Sequence, residues 1–114
     1  MVSKMGSVII AIMDALQAPE VESILAAGYH GRVGDEIIVR ATDDFKVASV
    51  IVSIHDLTGV LVEQGNATMK ENNADWLYKT VQLNSAFAGS KITAIATDLP
   101  GNSASLSISL ESTF

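Results

Sequence analysis

Three features of the sequence predict a mainly β chain, an antiparallel β-sandwich preceded by an N-terminal helical segment. Apolar and polar residues alternate with period two over short stretches from residue 36 to residue 110, as half-buried antiparallel strands require. Clusters of Asp, Asn, Gly and Pro separate those stretches at short intervals, the punctuation of a sandwich. Residues 7–27, in contrast, space their apolar side chains at helical intervals.

The clearest pair of strands runs from Gly89 to Leu110. Ile92, Ala94 and Ala96 alternate with Lys91, Thr93 and Thr97, and Ala104, Leu106, Ile108 and Leu110 alternate with four serines. Asp98-Leu99-Pro100-Gly101-Asn102 between them supplies turn chemistry, because Pro presets φ, Gly permits positive φ, and Asp or Asn bonds nearby backbone. A hairpin with one apolar face needs a second sheet to cover it.

Composition narrows the possibilities. A chain of 114 residues is predicted to form one domain, residues 1–114, with the helical segment at 7–27 and the sandwich at 35–111. Hydrophobic residues at 48% and charged residues at 18% supply enough apolar surface for an ordered core. The chain has no cysteine, which removes disulfides and thiolate metal sites from consideration. Its net charge of −6 argues against a nucleic-acid partner, since binding a phosphate backbone requires clustered Lys and Arg.

The elements follow in order. The run Met5 to Met13 resembles the apolar core of a leader peptide, but Asp14 interrupts it and a cut after Ala18 would leave Pro19 first. It is also shorter than the ~18 apolar residues of a membrane span, so the chain is not expected to cross a membrane on it. Ile9, Ile12, Met13 and Leu16 form a helical stripe, and Pro19 to Gly28 reads as a second helix with Val21, Ile24 and Leu25 on its apolar face. Strands are expected at Glu36–Thr42, Val47–His55, Val60–Thr68 and Trp76–Leu83, followed by the hairpin. Glu63-Gln64-Gly65 marks the third of these as an edge strand. In the fourth, Trp76 and Tyr78 share one face while Val81 and Leu83 share the other, which predicts a bulge near Lys79.

The segments ATDDFKVASVIVSIHDLTGVLVEQG, W-L-Y and GSKITAIATDLPGN together resemble bacterial immunoglobulin-like (Big-type) domains, with their Ala-Thr-Asp turn, V-x-V-x-I strand, Trp-x-Tyr strand and A-x-D-x-x-G-N turn. The resemblance covers Asp35 to Leu110 and implies an immunoglobulin-like fold and an extracellular or cell-surface setting. It specifies no ligand.

Strands running alternately up and down bring three loops to one end: Asp43–Lys46, Met69–Asp75 and Asp98–Asn102. Asp43, Asp44, Asp75 and Asp98 are candidate calcium ligands there, since calcium takes carboxylate and amide oxygens. Asp43, Asp44, Glu71, Asn72, Asn73, Asp98 and Asn102 are the candidate contacts for a protein or surface-glycan partner. The competing account of the same residues is turn formation, for which Asp and Asn are suited. Trp76 and Tyr78 read as a core pair, with a sugar-stacking platform as the alternative. His30 and His55 belong to no metal or nucleophile motif, and no G-x-S-x-G, H-E-x-x-H or phosphate-loop pattern occurs. The serine strip of the last strand could pair with a further strand, giving a homodimer through an edge. The sequence therefore predicts a non-enzymatic binding or structural module without a cofactor. The alternative is an assembly subunit whose N-terminal amphipathic helix docks onto a partner protein.

Overall fold

A computed structural model describes residues 19–43 and 46–110. They form eight strands: β1 (Glu20–Leu25), β2 (Glu36–Thr42), β3 (Val47–His55), β4 (Leu61–Asn66), β5 (Thr68–Met69), β6 (Asp75–Lys79), β7 (Lys91–Asp98) and β8 (Ser103–Ser109). All pairings are antiparallel, and two four-stranded sheets result, ordered β1-β2-β6-β5 and β4-β3-β7-β8. The alternating positions of the sequence meet in one core. Ile37 and Val39 of β2, with Trp76 and Tyr78 of β6, pack with Val50, Val52 and Ile54 of β3 and Ile92, Ala94 and Ala96 of β7. Burying an aliphatic side chain of this kind is worth about 1.5–3 kcal/mol, so this shared layer is what holds the two sheets together.

No helix occurs among the described residues, and Glu20–Leu25, expected as part of a helix, is strand β1. The cause is local. The β1–β2 register shifts between Val21 and Ser23, leaving Glu22 as the extra residue of a bulge. The bulge turns Val21 and Ile24, three positions apart, onto the same buried face, so a strand acquires helical spacing. Leu25, expected beside them, is exposed. The other helical expectation, residues 7–18, lies outside the described residues.

Strands β2 and β3 take the expected bounds, and β4 is an edge strand as its sequence suggests. The stretch 60–68 is not one strand, however. The Ala67 N–H bonds Val50 O at 2.8 Å, its side chain is buried, and the chain crosses there to the other sheet as β5. Alternation alone cannot reveal a strand changing sheets. The stretch 76–83 also ends early. The β2–β6 register runs unbroken from Arg40↔Asp75 to Glu36↔Lys79, with no bulge at Lys79. Beyond it Thr80 is held by the loop before β2: its N–H donates to Asp35 O and its hydroxyl to Arg32 O. Val81 and Leu83 are left exposed. Their apparent phase change is the end of the strand.

Candidate functional site

The three polar loops do gather at one end. The turn Lys70–Ala74 joins β5 to β6, and Ala41 N–H donates to Ala74 O, tying that turn to the end of β2. Leu99 N–H donates to Lys46 O, tying the β7–β8 turn to the start of β3. Thr42, Asp43, Lys46, Met69 and Asn73 line a depression between them, and Glu71 and Asn72 line a neighbouring one.

The acidic and amide side chains divide into two sets. Asp75 and Asp98 are spent on building the loops. Asp75 forms a bidentate pair with Arg40 (2.9 and 3.3 Å) and accepts from Asn72 Nδ2 at 2.8 Å. The Arg40 hydrogen bond, then that of Asn72, holds its carboxyl below the usual carboxylate range. Asn72 Oδ1 in turn accepts the N–H groups of Ala74 and Asp75, and Asn73 takes the left-handed conformation (φ 60°) that Asn tolerates. Asp98 is buried; its Oδ1 accepts the Asn102 N–H at 2.7 Å and its backbone closes the turn through Gly101 and Asn102. The second set, Glu71 and Asn73, is exposed, whereas Asp43 is half-buried with both carboxylate oxygens turned inside. Asp44 lies outside the described residues. Among the described residues no group of three or more His, Asp or Glu side chains is placed to hold a metal ion.

The other nominated residues fall elsewhere. Trp76 and Tyr78 are buried, which withdraws them from any sugar-stacking role. His30 lies at the opposite end, edge-on to Phe87, and His55 ends β3 on the outer face.

Sequence reasoning passed over Glu63. It sits on β4 yet is buried, and its carboxylate reaches across to the other sheet, accepting from Tyr78 Oη at 2.5 Å. The Val81 and Gln82 N–H groups complete its shell at 2.9 and 3.2 Å. Gly65, two residues on, makes this possible: a Cβ there would stand 3.0 Å from the Tyr78 ring. Burial and then the Glu63 bond push the Tyr78 phenol well above its ordinary value. A second network adjoins it, in which Asn84 Nδ2 donates to Tyr29 Oη (3.0 Å) and Ser90 Oγ (3.1 Å). The inward position of Glu63 comes from pairing opposite Ile54, which the run Val60-Leu61-Val62 beside it does not reveal.

Comparison with protein-family models, with curated proteins and with solved structures finds no match. Among the described residues no helix is long and apolar enough to cross a membrane.

Proposed function

We propose that the chain is a non-enzymatic binding or structural module of immunoglobulin-like type, whose recognition surface is the polar loop end. The strand order supports the fold reading. Lettered A to G with one added strand, β1-β2-β6-β5 corresponds to A-B-E-D, and β4-β3-β7-β8 to an added strand followed by C-F-G. The observation that carries the functional reading is the division of labour at the loop end. Asp75, Asn72 and Asp98 fix the loops from within, so that Glu71 and Asn73 are presented from a rigid base. Recognition commonly takes that form, with variable side chains on loops held by sheets. The Asp56 carboxylate, in contrast, is occupied structurally. Asp56 accepts from the Thr58 hydroxyl and N–H and from Val60 N–H, closing the β3–β4 turn.

The carboxylate this surface offers is Glu71, set among exposed Asn73, Lys46 and Lys70; it is the group that a basic protein segment would meet, with calcium as the second ligand to try. Titration of isotope-labelled full-length chain with a lysine-rich peptide, and separately with calcium against chelator, tests the reading. Amide shifts confined to residues 69–75, 98–102 and the end of β2, lost in Glu71→Lys, are the expected result. Shifts spread over both sheets, or none with either probe, overturn it.

A further inference from the structure

A sandwich of two open sheets has four edge strands, and unprotected edges recruit other strands. Three of the edges here carry protection. β1 is broken by its bulge and bears exposed Glu20 and Glu22. β5 is two residues long. β4 points the Glu63 carboxylate inward, and its register with β3 shifts between Ile54 and His55. β8 has none of these devices. Its seven pairs with β7 run from Lys91↔Ser109 to Thr97↔Ser103 without a shift, and Ser103–Leu110 contains no charged residue, proline or glycine.

The backbone groups facing away from β7 can be assigned. Leu110 N–H donates to Ser90 O and Asp98 N–H donates to Asn102 O, so the even-numbered residues of this strand direct their backbone groups at β7. By the alternation of an antiparallel ladder, Ser103, Ser105, Ser107 and Ser109 direct theirs outward from the sheet. The same serines are exposed on the outer face, while Ala104, Leu106 and Ile108 on the inner face are only partly covered.

We propose that β8 is a homodimerisation edge that pairs antiparallel with β8 of a second copy, the two-fold axis passing through Leu106. The occupant follows from the pattern. Full overlap of two such strands sets Ser105 against Ser107 and Ser103 against Ser109 of the second copy, each pair exchanging two backbone hydrogen bonds. Serine then meets serine on the wet face, and Ala104 meets Ile108 on the apolar face, so both copies extend their own core. The apolar run Val8 to Met13 is a poorer occupant, since it would lay an apolar row beside the serines.

The test uses the full-length chain. Sedimentation from micromolar to sub-millimolar concentration is expected to show a twofold rise in mass, abolished by the double variant Ser105→Lys/Ser107→Lys, which sets lysines opposite each other across the axis. The register is tested separately. Residues facing each other in a non-hydrogen-bonded pair have Cα atoms about 4.5 Å apart, within disulfide reach. In this cysteine-free chain Leu106→Cys should therefore form a cross-linked dimer on oxidation, and Ser103→Cys should not. A wild-type chain monomeric throughout, with the Ser105 and Ser107 N–H groups exchanging rapidly, overturns the proposal. So does a monomer in which those groups are protected, because its own chain then covers the edge. A dimer that survives the double lysine variant, or cross-links better at 103 than at 106, also overturns it.

Discussion

Strands β4 and β8 are the two margins of the same sheet, and they are finished in opposite ways. β4 turns a carboxylate inward and spends it on Tyr78 and two backbone N–H groups across the sandwich. β8 turns nothing charged in either direction and keeps an unbroken register. The first margin is interrupted by its own fold. A strand that came alongside β4 would have to accommodate the bulge, whereas one alongside β8 would meet a flat ladder. The difference teaches that a sheet margin can be interrupted by a bulge and an inward-turned charge or built as a regular, uncharged ladder. Which of the two happens is settled by single residues.

The largest consequence of that difference is in stability. Glu63→Ala leaves a buried phenol and two backbone donors without their acceptor, and a loss of about 3 kcal/mol is expected. Urea unfolding followed by the fluorescence of Trp76, the single tryptophan, measures it. Ser105→Ala on β8 should change the monomer by less than about 0.5 kcal/mol. Equal losses at both sites would erase the contrast. Gly65→Ala sharpens it further: the added methyl presses on the Tyr78 ring, an overpacking cost of about 1–3 kcal/mol.

The margins should also differ in their response to alkali. Tyr29 and Tyr78 are the only tyrosines; burial first, then for Tyr78 the Glu63 bond, raises both phenols. A pKa raised in the folded state stabilises fully below the unfolded value of about 10 and loses that contribution as pH rises beyond it. Phenolate absorbance should therefore stay flat through about pH 10 and then rise together with the loss of Trp76 fluorescence. Tyr78 titrating at its ordinary value in folded protein would show the β4 side to be open.

The legibility of these regions in the sequence follows the same physics. The β7–β8 hairpin was readable because most side chains in it do one thing: apolar residues other than Ile95 and Leu99 face the core, serines face water, and Asp98 to Asn102 make the turn. The bounds of β2 and β3 were readable for the same reason. β1 was misread because a bulge imposes a spacing of three on a strand, and periodicity cannot distinguish that from a helical turn. The crossing at Ala67 and the early end of β6 depend on partners far along the chain, Val50 for the first, Asp35 and Arg32 for the second. Glu63 is the sharpest case. A glutamate on an edge strand looks like surface charge until the distant Tyr78 and Gly65 are seen to enclose it. The loop end was readable as a gathering of acidic and amide side chains, but which of them face outward depends on Arg40, a strand residue, and on the depth of Asp98.

The smallest effect expected here distinguishes the margins by one methyl group. On β8 Ser107 faces Thr93, and their hydroxyls are 2.9 Å apart. Ser107→Thr keeps that bond and adds a β-branched carbon suited to a strand, so a gain of a few tenths of a kcal/mol, at most about 1, is expected. On β4 Gln64 faces Ser53, and its Nε2 donates to Ser53 Oγ at 2.9 Å. Ser53 points to the outer face yet is buried, so Gln64 covers it as well as bonding it. Gln64→Thr has the same strand preference as the other change but is too short to cover Ser53 in the same way, and a loss of about 0.5–1 kcal/mol is expected. Intrinsic preference alone would move both variants in the same direction. Opposite signs in paired unfolding curves would mean that β4 is held by specific side-chain reach and β8 by the regularity of its ladder.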